Sequence, residues 1–492
     1  VPAPRPRGLP AVPLRRLAEV AGVERHAEVG DLGDVAVTGV TLDSRAVQPG
    51  DLYAALPGAH HHGATFAAEA EAAGAVAVLS DVEVTGLPQL LVEDPRDVLG
   101  AVAAEVYGHP ADALTMIGVT GTDGKTTMTY LLEAGLVGAG HTTGVIGTVE
   151  TRLGAEVMRS VRTTPEATDL HALLAVARQK GVEAVAMEVS SHALALHRVD
   201  GVRYVAAAFT GLSQDHLDFH GSMDRYFTAK ASLFRPDRCG TAVICLDSEW
   251  GDRLVERVRL PLVTYATGDP RADWTVADIV ADARGSRFRA LGPGGEDVAM
   301  RVALPGSFNV ANALGALATL VAIGLDPSQV AAGIAAAPGV PGRLERVEAG
   351  QPYAALVDYA HTPDAVARVL GALRPLTPGR LVVVLGAGGD RDPGKRPAMA
   401  RAAVAGADLA VLTSDNPRSE DPLAILAAMT DGLVGRHVVE PDRRAAIVCA
   451  ATGLGPGDTL LVAGKGHETG QEIAGVVHPF DDRVVLAEVV SA

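Results

Sequence analysis

The chain has 492 residues, too many for one hydrophobic core, and about three domains is the natural expectation. A composition of 48% hydrophobic and 21% charged residues describes a well-packed globular protein and argues against disorder. The formal charge of −17 argues against a nucleic-acid partner, so the cations that do fall inside motifs carry extra weight.

The Pro/Arg-rich start, residues 1–10, lacks the apolar core of a signal peptide and reads as a floppy tail. No apolar stretch reaches the length of a membrane span, so no membrane insertion is expected. Cys239, Cys245 and Cys449 form no metal or redox pattern and read as buried thiols in a reducing, cytoplasmic setting. Short apolar strands alternate with Ala-rich helical stretches nearly to the end, which predicts parallel α/β layers throughout. A break at His109-Pro110 and another at Pro338 to Gly342 divide the chain into domains of about 1–111, 112–344 and 345–492.

The apolar run Leu114 to Val119 predicts a buried strand, and Thr127 to about Val137 an amphipathic helix. Between them lies Gly121-Thr122-Asp123-Gly124-Lys125-Thr126-Thr127. Glycines let backbone N–H groups close around an anion, the helix N-terminus adds its dipole, Lys125 supplies charge, and the Thr126 hydroxyl suits Mg²⁺. Val119 stands where the strict G-x-x-x-x-G-K-[ST] pattern wants its first glycine, and Gly118 and Gly121 flank the gap instead. The expectation is ATP binding.

Polar clusters then follow apolar strands repeatedly: Glu188 to His192, Ser213 to His216, Asp358 to His361, Gly388 to Asp392, Asp415 to Arg418, and Gly464 to Glu468. Parallel sheets bind ligands beyond the carboxyl ends of their strands, so these clusters predict two crevices, one in the middle domain and one in the last. Glu188 closes its strand as the acidic residue of a Walker-B-like strand does, which points to Mg²⁺ beside Thr126. From the residues alone, His216 reads as a packed histidine, since imidazole is an unusual Mg²⁺ ligand. Lys230, in an apolar helical stretch, reads as a snorkelling surface lysine.

The ordered strings Thr-Gly-Thr-Asp-Gly-Lys-Thr-Thr, Glu-Val-Ser-Ser-His, Asp-His-Leu-Asp-Phe-His-Gly, Gly-Ser-Phe-Asn-Val-Ala-Asn, Pro-Gly-Arg-Leu-Glu, Asp-Tyr-Ala-His-Thr-Pro and Asp-Asn-Pro-Arg resemble the Mur ligases of peptidoglycan synthesis, from about Thr41 to the C-terminus. The resemblance implies a domain for a UDP-sugar, a central ATPase, and a Rossmann-like domain for an incoming amino acid. It reverses both readings above: Lys230 matches a lysine that becomes carbamylated, and His216 a metal-ligating histidine, joining Thr126 and Glu188. Asn309 and Asn312 match adenine-side residues, Arg343 an arginine that reaches the ATP phosphates, and Asp358 a ribose ligand. Leu42 and Ser44 match the uracil side, and Ala59-His60-His61 fall in the loop that touches the nucleotide. Thr163, Thr164, Ser190 and Arg198 match contacts to the muramoyl-dipeptide.

Asp415, Asn416, Pro417 and Arg418, with Arg391, Gly464 and Glu468, match the amino-acid site. By the same resemblance the reaction is ATP-dependent addition of meso-diaminopimelate to UDP-N-acetylmuramoyl-L-alanyl-D-glutamate through an acyl phosphate, by a monomer. Lys125, Arg343 and Mg²⁺ would neutralise the transferred phosphoryl, and Asp215, His216 and His361 are alternative proton acceptors. Arg418 offers a planar fork for the carboxylate that distinguishes diaminopimelate from lysine, and Glu468 faces the distal ammonium. A lysine-adding relative or another Mur ligase is the nearest alternative. A phosphate-loop switch or transporter leaves Arg391 and Arg418 unexplained. An oxidoreductase reading of Gly386-Ala387-Gly388-Gly389 fails because Arg391 takes the third glycine's place.

Overall fold

The computed structural model describes residues 3–23, 35–58 and 60–491. It divides into two compact units, 1–275 with 314–333, and 276–313 with 334–492. Among the described residues, no helix is long and apolar enough to cross a membrane.

Among the described residues the first unit holds three sheets, the smallest an antiparallel pairing of Val12–Pro13 with Ala36–Val37. A four-stranded parallel sheet runs Gly39–Thr41, Asp51–Ala54, Ala77–Ser80, Gln89–Leu91. Its core includes Val40, Leu52, Leu79, Leu90, Leu99 and Val102, and reaches Ala172 and Ala175 of the helix Ala167–Gln179. The described part of the Pro/Arg-rich start is anchored, contrary to expectation. Arg5 pairs with the buried Asp51, and the Arg7 N–H donates to Gln179 Oε1 at 3.1 Å. A carboxylate without water needs a cation, and that requirement overrides the segment's composition. Val1, Pro2 and Ala59 lie outside the described residues.

An eight-stranded sheet follows, ordered Glu156–Arg159, Glu150–Leu153, Thr143–Ile146, Ala184–Glu188, Thr115–Thr120, Tyr204–Phe209, Cys239–Cys245, Leu262–Tyr265. It is parallel from Thr143–Ile146 onward. The strand Thr115–Thr120 sits near its middle and is buried on both faces, as its unbroken apolar pattern requires. Its carboxyl end opens into the Gly-rich loop, and the helix Lys125–Gly138 begins at Lys125.

The second unit is built on a six-stranded sheet: Glu345–Arg346, Ala354–Asp358, Thr459–Ala463, Leu381–Ala387, Leu409–Ser414, His437–Val439. Only the first pair is antiparallel. Leu381, Val383 and Leu385 face one core and Val382 and Val384 another, so apolar side chains cover both faces.

Besides the short antiparallel pairs at Val12–Pro13 and Glu345–Arg346, the all-parallel expectation needs correction in three further places. Residues 275–302 form a three-stranded sheet, Gly470–Ile473 and Val476–Pro479 a hairpin, and residues 150–159 an antiparallel edge. The last two hairpins turn over two residues, Gly154-Ala155 and Ala474-Gly475. Gly154 and Gly475 there have positive φ, a turn signal that reading for βαβ units passes over. Cys239 and Cys245 are buried free thiols, raised by burial to about 11 and about 12, whereas Cys449 is exposed and corrects the expectation of three buried thiols.

Candidate functional site

In the first unit the Gly-rich loop turns tightly at Gly121 (φ +149°) and Gly124 (φ +82°), conformations that an L side chain resists. A Cβ on Gly121 would also strike Thr210 Oγ1, because the loop lies against the turn that follows strand Tyr204–Phe209. That turn clamps the loop. Thr210 Oγ1 donates to Asp123 O (2.6 Å), Ser213 N to Thr122 Oγ1 (3.0 Å), and Ser213 Oγ to Asp123 Oδ2 (3.3 Å). Lys125 Nζ curls over the loop and donates to Gly121 O (3.0 Å) and Thr122 O (2.8 Å). Thr126 and Thr127 are both buried at the start of the helix.

The neighbouring strand delivers Glu188, 1% exposed, as its last residue. Thr126 Oγ1 donates to Glu188 Oε1 at 3.0 Å, so the two residues expected to share a metal do meet. Thr148 donates to the same carboxylate twice, from its N–H to Oε1 (2.7 Å) and from Oγ1 to Oε2 (3.1 Å). Sequence reasoning missed Thr148. Its only signal was Gly147-Thr148 directly after an apolar strand, where a side chain on Gly147 would collide with Glu188 Oε1.

Lys230 is not a surface residue. It is 1% exposed, donates from Nζ to Gly121 O at 2.6 Å, and lies 4.7 Å from the centre of the Tyr226 ring. Burial, then the nearby Lys125 charge, hold its ammonium well below the ordinary lysine range. Tyr226 is in turn fixed to Thr122 by a 3.1 Å hydrogen bond between their hydroxyls. The apolar character of the stretch is therefore the character of a helix face packed beneath the loop.

His216 stands in the left-handed region (φ +53°), 3.4 Å from Asp215, with its ring 4.7 Å from that of His192. Burial lowers the His216 pKa, and burial followed by His216 and His220 pushes His192 to about 4. The imidazoles are thus neutral ligands or acceptors at neutral pH.

Oxygen donors from Thr126 and Glu188 suit Mg²⁺. His216 adds a nitrogen, and the ammonium of Lys230 has no lone pair to give. Among the described residues no group of three or more His, Cys, Asp or Glu forms a metal cage. The protein's set therefore fits an ion that keeps ligands from phosphate and water.

The dipeptide candidates gather around the same strand end. Thr164 Oγ1 donates to Glu188 O (2.8 Å), Ser190 N donates back to Thr164 Oγ1 (3.1 Å), and Thr163 bonds Thr148 at 3.0 Å. Ser190 caps the helix Ser191–Ala195. Arg198 pairs with the buried Glu166 at 2.8 Å, a carboxylate also approached by Arg96 and Arg162. Glu166 is a second residue that sequence reading missed. Leu42 and Ser44 flank Asp43, which follows strand Gly39–Thr41 and accepts from Arg45 N at 3.1 Å.

In the second unit Asn309 and Asn312 are buried in the first turns of the helix Ser307–Ala322 and joined at 3.2 Å. Asp358 ends its strand and accepts Leu344 N (2.7 Å) and Ala360 N (2.8 Å). It therefore holds Leu344 in a left-handed turn (φ +43°) next to Arg343, whose guanidinium lies 4.5 Å from the Tyr359 ring centre. His361 Nδ1 lies 2.8 Å from Tyr359 O, an acceptor, so Nδ1 carries the proton and Nε2 the lone pair.

The carboxyl ends of strands Leu381–Ala387, Leu409–Ser414 and Thr459–Ala463 bring Arg391, Asp415 to Arg418, and Gly464 to Glu468 together. Arg418 donates to Gly389 O at 2.5 Å and sits 3.7 Å from Glu472. A Cβ on Gly389 would collide with the Pro417 carbonyl, and one on Gly464 would press on Asp415 Oδ2. These glycines exist so that loops can touch, which removes the dinucleotide reading. Asn416 Nδ2 donates to Glu468 Oε2 at 2.8 Å. Arg391 is exposed on the loop that carries Gly389.

A phosphate-type loop beside a buried carboxylate and lysine, with a polar cluster at the strand ends of a second, mostly parallel sheet, fits a nucleotide-dependent enzyme better than a dehydrogenase. Residues 36–107 match the Mur ligase family catalytic domain, residues 119–320 the Mur ligase middle domain, and residues 342–466 the Mur ligase glutamate ligase domain. The chain belongs to the Mur ligase family. The UDP-N-acetylmuramoyl-L-alanyl-D-glutamate--2,6-diaminopimelate ligase of Streptomyces avermitilis is 55% identical, over 99% of this chain and 98% of that protein. A solved ligase of the same name is 33% identical, with a TM-score of 0.71 over 98% of this chain and 99% of the other. The Thermotoga maritima MurF ligase in complex with ADP shares the fold at 18% identity, with a TM-score of 0.65 over 92% and 96% of the two chains.

Proposed function

We propose that this chain is the ATP-dependent ligase that joins meso-diaminopimelate to the D-glutamate of UDP-N-acetylmuramoyl-L-alanyl-D-glutamate, in cytoplasmic peptidoglycan precursor synthesis. The observation that carries the reading is the loop Asp415 to Arg418, held against Gly389 and Glu468 in a chain 55% identical to a ligase of that name. Residues 1–111, 112–344 and 345–492 serve the UDP-sugar, ATP and the amino acid in turn, and the chain acts as a monomer.

A carboxylate oxygen is too poor a leaving group for an amine to displace, so the substrate carboxylate first takes the γ-phosphoryl of ATP. No protein nucleophile is needed. Gly121 to Thr127 hold the phosphates, with Lys125 and Arg343 neutralising charge as it shifts. Asn309, Asn312 and Asp358 hold the adenosine. Thr126, Glu188 and His216 would hold Mg²⁺, which supplies charge neutralisation on the phosphates when bound. Lys230 fits that set once its neutral amine adds to carbon dioxide and loses a proton, a reaction that its depressed pKa favours.

Leu42 and Ser44 contact the uridine end, and Thr163, Thr164, Ser190 and Arg198 the muramoyl-dipeptide. The incoming amine is oriented by Arg391, Asp415, Asn416, Pro417, Arg418, Gly464 and Glu468. His361 Nε2 is the acceptor best suited to the proton that the amine releases, since its Nδ1 is committed to Tyr359. The test is phosphate release from ATP by the purified chain. Release is expected only when the UDP-muramoyl-dipeptide and meso-diaminopimelate are both present, and equal release with either withheld sinks the proposal.

A further inference from the structure

Lys465 lies inside the Gly464 to Glu468 cluster but received no role from the sequence, and its side chain is fully buried just beyond strand Thr459–Ala463. Its ammonium has three donors and uses all of them: Gly470 O at 2.7 Å, Glu468 Oε2 at 3.0 Å and Asn416 Oδ1 at 3.1 Å. Asn416 Oδ1 accepts a second bond from Glu472 N at 3.0 Å, while its Nδ2 donates to Glu468 Oε2 at 2.8 Å. Both partners of Oδ1 are pure donors and the partner of Nδ2 is a pure acceptor. The amide therefore has one permitted orientation, with Nδ2 toward Glu468.

The composition of the chain sharpens this. Only five of its 42 cations are lysines, and Lys125 and Lys230 already have a chemical reason to be. A guanidinium is planar and forked, whereas the arrangement around Lys465 needs one compact charge donating to three acceptors at once. Without it, the Glu468 carboxylate would keep less compensating charge, a setting that draws any ammonium, including that of lysine.

We propose that Lys465 is the positioning residue of the amino-acid pocket: it locks the Asn416 amide and pins Glu468 by Oε2, leaving Oε1 for the distal ammonium of a diamino diacid. The proposal rests on the function given above and names what sets its selectivity.

The full-length enzyme with Lys465→Met is the test, assayed by ligation at saturating ATP and UDP-substrate. KM for meso-diaminopimelate should rise at least about tenfold. kcat and the KM values of the other two substrates should stay within about threefold, and the preference over lysine should fall. Lys465→Arg should lie between. Unchanged diaminopimelate KM in folded protein, or a fall in kcat alone, overturns the proposal. Should Lys465→Met not fold, ¹⁵N-lysine labelling of the unmutated enzyme is the alternative, the side-chain signal lost in Lys465→Arg being that of Lys465. That signal should move on adding meso-diaminopimelate, and a signal that stays fixed at saturation overturns the proposal. Unmutated enzyme that makes no product from diaminopimelate sinks the functional reading instead.

Discussion

A left-handed backbone is uncomfortable for arginine, and Arg418 is held there (φ +53°) by two backbone bonds, its N–H to Glu472 O at 2.9 Å and Ala474 N to its own carbonyl at 2.7 Å. Strain of roughly 1–3 kcal/mol is tolerated where the surroundings over-determine it, and such sites are often functional. Arg418→Ala is expected to raise KM for diaminopimelate by about ten- to a hundredfold, equivalent to about 1–3 kcal/mol, with lysine little affected. Steady-state ligation with each amine measures it. Lys230 makes the opposite trade. Its folded pKa is depressed, so the cost of its buried charge is fully present below that pKa and is relieved as pH rises from there toward 10.5. In buffer freed of carbon dioxide, Lys230→Met should be the more stable protein at neutral pH, and the advantage should shrink as pH approaches 10.5. Its ligation rate should fall about a hundredfold or more. Chemical denaturation across pH and the ligation assay give the two readings.

At the scale of elements, strand ends must be kept in register if loops growing from different strands are to meet. Arg443 does this in the second unit. Fully buried, it pairs with the equally buried Asp482 at 2.6 Å and donates to Ser414 O (3.2 Å) and Ala463 O (3.0 Å), the last residues of two strands. Asp482→Asn leaves that guanidinium under-compensated and should cost about 3–5 kcal/mol, measured by urea unfolding. Strands such as Thr115–Thr120 and Leu381–Ala387 were legible in the sequence because burial on both faces demands an unbroken apolar run. The phosphate loop was legible because its glycines and Lys125 are local in sequence. Arg443, Thr148, Glu166 and Lys465 were not, since their partners lie 29 to 49 residues away in the cases of Ser414 and Asn416, and no periodicity encodes such a meeting.

At the scale of the whole molecule, the excess acidity is a poor guide to where the buried cations gather. Lys125 over and Lys230 beneath one sheet's loop, and Arg391, Arg418, Arg443 and Lys465 around another's, make basic islands inside an acidic chain. Motif order pointed to Lys125, Lys230, Arg391 and Arg418, and the structure adds Arg443 and Lys465, both fully buried. The lysine expected at the surface lay inside, because an apolar helical stretch next to a phosphate loop is covered on that side. The antiparallel hairpin Gly470–Ile473 with Val476–Pro479 went unseen, yet Ile473 is the residue bridged to Arg418. That bridge means a sliding of the hairpin by one residue would carry the arginine along by roughly 3.4 Å, more than two carbon–carbon bonds. Under the proposed function the segment is a calliper jaw, and changing its turn, with every polar residue left alone, is expected to reset how long an amine is accepted.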